Sequence, residues 1–360
     1  VARIDLIDVC KTLTDRARGP AATFSIQNLN LLIPDGKTMV VLGPSGCGKT
    51  TLLKIIAGLI PPDSGAVRSD GVDVTALRPG ERRIGMVFQN YVLYPHFSSR
   101  RNVLSYFFFR KKTPELDAMA RAKFQRTSDL MGVELEYLLD RSPTTLSGGE
   151  KQRVALARCI TRDATLFLVD EPFANLDQAL REKYRVNLKT LLRQFNITTV
   201  YVTHDHNEAL ILADLLAIMD RATIQQVGTF QEIYDRPKSV FVAEFLNLHV
   251  DTPPISLIEA RYVRQGQRFG SALLGVRPED VVVSREDRED GIRGTITSTL
   301  RLPMKHATIL SIRAEDQVVH ARLAGDEQYC TGDPVWITFE RYHVFEKESG
   351  VRLRSYPEPQ

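Results

Sequence analysis

Thr38-Met39-Val40-Val41-Leu42-Gly43-Pro44-Ser45-Gly46-Cys47-Gly48-Lys49-Thr50 decides how this chain folds. An apolar run suited to a buried strand leads into a stretch that fits G-x-x-x-x-G-K-[ST]. An apolar-periodic segment with Leu52, Leu53, Ile55, Ile56 and Leu59 follows, so the spacing predicts strand, tight loop and helix. Glycines in the loop let successive backbone N–H groups turn toward one anion without a Cβ clash, and the helix N-terminus adds positive potential. Lys49 is placed to reach phosphate oxygens, and the Thr50 hydroxyl to reach Mg²⁺. The competing reading, a glycine-rich turn that merely starts a helix, is weakened by having both the strand and the helix in place. The helix is expected to stop at Gly58-Leu59-Ile60-Pro61-Pro62, because prolines cannot continue it.

Leu166-Phe167-Leu168-Val169-Asp170-Glu171 is an apolar strand ending in two acids. A strand buried on both faces delivers such carboxylates at the C-terminal edge of its sheet, where ligands of α/β proteins bind. Adjacent strand residues point to opposite sides, so the two acids are expected to do different work. Asp170 suits a Mg²⁺ shell, directly or through water, and Glu171 suits the attacking water, as general base or positioning group. In isolation the same residues could be a strand running into an acidic helix start.

Leu146-Ser147-Gly148-Gly149-Glu150 precedes a helical pattern with Val154, Leu156, Ala157 and Ile160. Ser147 and Glu150 have capping-box spacing. Capping does not ask for two glycines between them, whereas an anion docking on the helix N-terminus needs bare backbone there.

Taken together, these motifs resemble the ATP-binding-cassette (ABC) ATPase family. Their order along the chain is the family's order: phosphate loop, signature at 146–150, then the acidic strand. Gln89, in Gly85-Met86-Val87-Phe88-Gln89, matches the Q-loop glutamine; Asn175-Leu176-Asp177 matches the D-loop, and His204, in Val202-Thr203-His204-Asp205, the switch histidine. The resemblance covers about residues 3 to 240. It implies an α/β P-loop NTPase with a helical subdomain, hydrolysing ATP with Mg²⁺. In that likeness Gly43, Pro44, Ser45, Gly46, Cys47, Gly48, Lys49, Thr50, Thr51, Gln89 and Leu13 contact nucleotide, and Thr50, Gln89 and Asp170 serve the metal. Lys49, Glu171 and His204 carry the chemistry. The likeness also implies a head-to-tail dimer, in which Ser147, Gly148, Gly149 and Glu150 face an ATP held by the second subunit and Asp177 lies at the dimer contact.

Three details resemble the importer ATPases of the maltose, glycerol-phosphate and polyamine type: Tyr91-Val92-Leu93-Tyr94-Pro95-His96 after Gln89, the stretch Gly228–Pro237, and Leu274-Gly275-Val276-Arg277-Pro278-Glu279-Asp280. The first lies at the transmembrane subunits in those proteins; the last belongs to their C-terminal OB-like domain and is expected to play a structural role. The implied partners are a second ABC ATPase, identical or homologous, two transmembrane permease subunits and, indirectly, an extracytoplasmic solute-binding protein. The implied place is the cytoplasmic face of the inner membrane, and a carbohydrate or sugar-phosphate-like solute is expected. Two departures stand out. Leu13 occupies the position where the family usually stacks an aromatic on adenine, so either Leu13 makes only apolar contact or Phe24 substitutes. Asp15–Pro20 resembles a small insertion beside that place.

Composition frames the rest. The 360 residues carry 47 basic against 44 acidic side chains, a net charge of +3 that gives no case for nucleic acid. Four scattered cysteines (Cys10, Cys47, Cys159, Cys330) lack metal-ligand spacing, and the absence of a secretory start pattern fits a reducing cytosol. The densest apolar stretch, Leu104–Phe109, falls far short of the roughly 20 residues of a spanning helix. Expected strands are Thr38–Leu42, Thr165–Val169, Thr198–Val202 and Leu215–Met219, with a helical insertion over about 90–160. From about 270, alternating runs at Gly294–Leu300, Val318–Leu323 and Val335–Phe339 predict a small antiparallel barrel. The domains are therefore expected at 1–240 and 241–360.

Overall fold

The computed structural model describes residues 2–14, 23–111, 113–131, 133–162, 164–173, 178–247, 251–263, 268–325 and 329–357. They form two compact units, Val1–Phe230 and Gln231–Gln360.

In the first unit the strands are β1 (Ile4–Thr14), β2 (Thr23–Ile33), β3 (Thr38–Leu42), β4 (Ser64–Ser69), β5 (Val72–Asp73), β6 (Ile84–Val87), β7 (Leu166–Asp170), β8 (Thr198–Thr203), β9 (Leu215–Asp220) and β10 (Thr223–Gly228). The helices are α1 (Lys49–Ala57), α2 (Ser99–Val103), α3 (Ser105–Phe108), α4 (Pro114–Met131), α5 (Val133–Glu136), α6 (Gly148–Thr161), α7 (Gln178–Phe195) and α8 (His206–Leu212). Six strands make the main sheet in the order β10-β9-β3-β8-β7-β6. All pairs in it are parallel except β10 with β9. Every residue of β3, β7 and β8 is buried, which is why these strands read as continuous apolar or β-branched runs.

A second, antiparallel sheet, β2-β1-β4-β5, was not legible as such in the sequence. It shares one core with α1 and the main sheet: Leu6, Val9, Ile26 and Leu29 meet Leu52, Ile55 and Ile56, which meet Met39, Val41 and Val200. Each fully buried leucine or isoleucine contributes about 1.5–3 kcal/mol relative to exposure.

Helix α1 ends one turn before the prolines. Gly58 is its C-cap at φ 73°, and Leu59 N–H returns to the Lys54 carbonyl at 2.9 Å. A side chain at Gly58 would also meet the guanidinium of Arg82, only 2.6 Å from where a Cβ would sit. That guanidinium takes up the helix-end carbonyls of Ile55 (3.0 Å) and Ile56 (2.8 Å). Glycine and arginine, not Pro61 and Pro62, terminate the helix.

The expected helical insertion is present. Val103, Leu135, Leu138, Leu139, Leu146, Val154 and Ala157 give helices α2, α5 and α6 a core of their own.

The second unit opens with α9 (Phe230–Asp235) and α10 (Val240–Phe245). Among the described residues nine strands follow: β11 (Ser256–Glu259), β12 (Leu273–Val276), β13 (Val281–Ser284), β14 (Ile292–Leu302), β15 (Ala307–Ala314), β16 (Gln317–Ala324), β17 (Pro334–Phe339), β18 (Tyr342–Phe345) and β19 (Arg352–Tyr356). They form two antiparallel sheets, β11-β12-β18-β19 and β13-β17-β14-β15-β16, an all-β OB-like arrangement as the alternating runs predicted. Arg277, next after β12, is buried and lies over the Tyr234 ring at 3.5 Å. It donates to the carbonyls of Leu246 (3.2 Å), Pro254 (3.1 Å) and Tyr234 (3.1 Å), so it closes the C-terminal end of α10. The motif containing it is structural here.

Candidate functional site

The strand order assembles the site. β3, β8, β7 and β6 run parallel and adjacent, so the residues following each strand emerge at one sheet edge. Those residues are the loop at Gly43, then Thr203-His204, Asp170-Glu171 and Gln89.

The loop from Gly43 to Gly48 wraps the start of α1. Gly46 (φ 81°) and Gly48 (φ 108°) hold conformations that side-chain-bearing residues avoid. At Gly43 a Cβ would fall 2.2 Å from the Met219 carbonyl oxygen of β9, so only glycine fits. Lys49 is 5% exposed and donates to the carbonyls of Gly43 (2.8 Å) and Pro44 (3.0 Å). A buried ammonium bonded to neutral carbonyls brings positive charge into the loop, a setting suited to an anion. Leu13, Phe24, Ser45, Gly46, Gly48, Lys49, Thr50, Thr51 and Glu171 line one cleft of about 400 Å³.

Leu13 and Phe24 face each other across the β1–β2 pair. The Phe24 ring tip lies 2.4 Å from the place a Cβ would take at Gly48, so the ring rests on the loop itself. Both alternatives for the base contact are therefore present in one wall. The insertion at Asp15–Pro20 lies outside the described residues, as do Asn175, Leu176 and Asp177.

Thr50 donates to Asp170 Oδ1 at 3.0 Å. Burial raises the Asp170 carboxyl above the usual carboxylate range, against the pull of that hydrogen bond. A hydroxyl and a dehydrated carboxylate side by side are the hard-oxygen donors Mg²⁺ accepts, and a cation there would offset the burial cost. The next residue, Glu171, turns into the left-handed region (φ 40°) with its N–H bonded to the Val202 carbonyl at 3.1 Å. Its side chain meets the residue after β8: His204 Nδ1 lies 3.1 Å from Glu171 Oε1. The two acids thus have different partners, Thr50 for Asp170 and His204 for Glu171. Glu171 lies past the end of the strand at left-handed φ, so strand alternation does not set its direction.

Gln89 is exposed in the turn after β6 and is not among the residues lining the cleft. Ser147 and Gly148–Glu150 also lie away from this lining. Ser147 caps α6 in the expected capping box: Glu150 N–H to Ser147 Oγ at 3.3 Å, and Ser147 N–H to Glu150 Oε2 at 2.7 Å. Arg141 (2.9 Å) and Tyr137 (2.8 Å) hold the other carboxylate oxygen. The Ser147 N–H holds the Glu150 carboxyl below its usual range, and its charge stays at the helix start.

A second concavity, about 350 Å³, includes Met86, Phe88, Val92, Tyr94, Tyr106, Phe109, Arg158 and Arg162 in its lining. Tyr94, Phe108 and Phe109 are exposed, with Tyr94 and Phe109 ring centroids 5.6 Å apart. Arg158, on α6, donates to the carbonyls of Val92 (2.8 Å) and Tyr91 (3.2 Å), both residues at positive φ. One side chain thus ties the helix begun by Ser147 to the segment following Gln89. Sequence reading had no signal for Arg158, whose partners are backbone carbonyls.

Comparison with known proteins agrees with this geometry. The ABC transporter family matches residues 26–174. The sn-glycerol-3-phosphate import ATP-binding protein UgpC of Psychromonas ingrahamii is 38% identical over 338 residues, covering 89% of this chain and 88% of that protein. The xylose/arabinose import ATP-binding protein XacK of Haloferax volcanii is 36% identical over 380 residues, 99% of this chain and 96% of that one. Among solved structures, the dimeric post-hydrolysis state of an ATP-binding cassette bound to ADP and Pi superposes with a TM-score of 0.53 at 30% identity. That match covers 63% of this chain and 98% of the other.

Proposed function

The chain belongs to the ABC transporter family, and we propose that it is the ATP-hydrolysing subunit of an importer for a carbohydrate or sugar-phosphate-like solute. Its relatives named for glycerol-3-phosphate and for xylose and arabinose import support that solute class. No described helix is long and apolar enough to cross a membrane. In this reading the solute path is formed by separate permease subunits, supplied by a solute-binding protein on the far side. The aromatic concavity at Tyr94 and Phe109 is the surface offered to the permease, and Gln89, just before it, links that surface to the cleft.

In the cleft, the loop amides and Lys49 hold the β- and γ-phosphates. Thr50 and Asp170 would hold Mg²⁺, which would neutralise phosphate charge when bound; Gln89 would have to move in from its exposed turn to join them. Glu171 orients and deprotonates the attacking water. His204, whose Nδ1 lies 3.1 Å from Glu171 Oε1, contacts the γ-phosphate. The protein contributes mainly position and charge. Ser147, Gly148 and Gly149 present bare backbone at an N-terminus that serves the ATP of a second copy, with Asp177 at the contact. Each chain carries both halves of a site, so two copies complete two. The observation carrying this reading is the juxtaposition of Lys49, Thr50–Asp170 and Glu171–His204 at one sheet edge. The test is Glu171→Gln: ATP binding should persist while turnover falls by about 100-fold or more. Turnover within threefold of the parent would refute it.

A further inference from the structure

Glu171 and His204 follow separate strands, β7 and β8, and the His204 imidazole is half exposed. Some other contact must hold the His204 segment in place. Arg185 is 5% exposed in the middle of α7, the helix that follows the Glu171 segment. Its Nη2 bonds Asp205 Oδ2 and lies 3.8 Å from Glu208 Oε1. These two carboxylates bracket the turn that starts at His204. Asp205 Oδ1 separately caps α8 through the N–H groups of Asn207 (2.8 Å) and Glu208 (3.2 Å). Glu208 Oε2 accepts the hydroxyls of Tyr201 and Thr203, each at 2.7 Å, and Thr203 Oγ1 accepts the Asp205 N–H at 3.0 Å. Asp205 and Glu208 thus fix the turn at His204, whose imidazole meets Glu171.

Capping α8 requires only Asp205 Oδ1. A buried guanidinium on the remaining oxygen adds nothing to the cap and takes a charge out of water. What it does supply is a fixed distance between the helix after Glu171 and the turn bearing His204. A second tie joins the same two helices at their far ends: Lys189, one turn along α7, donates to the Leu212 carbonyl at 2.7 Å. Lys189 therefore stabilises the same pairing without touching the His204 turn.

We propose that Arg185 is a positioning residue for hydrolysis, clamping Asp205 and Glu208 so that His204 meets Glu171 in reacting geometry. The proposal rests on the roles given to Glu171 and His204 above. It is tested on the full chain by steady-state and single-turnover ATP hydrolysis, with thermal melts run on every variant. Arg185→Gln should lower kcat about 10- to 100-fold while KM for ATP stays within about twofold. Arg185→Lys should recover part of the rate. Asp205→Asn, which keeps the cap oxygen but loses the charge, should share the defect and covers the case that Arg185→Gln folds poorly. Lys189→Met should lower the melting temperature and leave kcat near the parent value. In a His204→Ala background, Arg185→Gln should cost nothing further. Unchanged kcat in Arg185→Gln and Asp205→Asn, a loss that multiplies with His204→Ala, or an equal kcat loss in Lys189→Met would each overturn the clamp alone. Full turnover in His204→Ala would overturn the underlying reading as well.

Discussion

Replacing Phe24 by alanine separates two uses of one ring. Phe24 lines the cleft beside Leu13, its cross-strand partner, and rests against Gly48 of the phosphate loop. If the ring is the platform for adenine, Phe24→Ala removes a base–aromatic stack worth about 1–3 kcal/mol. At 1.4 kcal/mol per decade this weakens ATP binding about 5- to 150-fold. The loop amides and Lys49 are unaffected, so affinity for inorganic tripolyphosphate should hold within about twofold. GTP should weaken alongside ATP, because every base has a π-face. Leu13→Ala removes a smaller apolar contact and should cost less than Phe24→Ala. Isothermal titration with ATP, GTP and tripolyphosphate reads all of these. Two results refute the reasoning. Unchanged ATP affinity means the base sits elsewhere, and equal loss for ATP and tripolyphosphate means the ring only supports the loop.

Three further outcomes follow from the structure. Arg277→Met strands the carbonyls of Leu246, Pro254 and Tyr234, and at about 1–3 kcal/mol per unmade bond should destabilise the second unit by several kcal/mol in a denaturant melt. Burial pushes the His343 imidazole down to about 3, so its stabilising contribution is complete above pH 6.5 and is lost as the pH falls from 6.5 towards 3. At pH 5 the loss amounts to about 2 kcal/mol, and His343→Asn should flatten that part of the stability–pH curve. Phe109→Ala and Tyr94→Ala should leave the ATPase of the isolated chain intact but reduce stimulation by permease and solute, measured in reconstituted vesicles.

The parts of this fold legible in sequence were those where one strand carries its whole message. β3, β7 and β8 are buried on both faces and end directly in Gly43, Asp170-Glu171 and His204, so both the core and the site could be read from local runs. The β1–β2 sheet hid because its pairing slips register between Leu6 and Val9 and again between Val9 and Lys11, which breaks the period-two pattern. The stop of α1 at Gly58 was legible, but its cause was credited to the prolines, because Arg82 lies 24 residues beyond Gly58 in sequence and acts through backbone carbonyls. Arg158 escaped notice for the same reason; the Arg277 motif was read as structural, but its carbonyl partners were not legible. An arginine that binds carbonyls leaves no complementary residue type to find. Arg185 has acidic partners, yet they stand 20 and 23 positions away and become neighbours only when α7 packs beside α8.

The central claim is that each ATP site is completed by a second copy of the chain, and complementation between two inactive variants tests it most directly. Lys49→Ala removes the phosphate-loop charge, and Ser147→Arg blocks the α6 N-terminus. Each variant alone should be inactive. Mixed and allowed to exchange subunits, half the dimers pair an intact loop with an intact signature at one of their two sites, restoring about a quarter of the parental ATPase activity. A mixture as inactive as its components, or full activity in Ser147→Arg alone, would contradict the account.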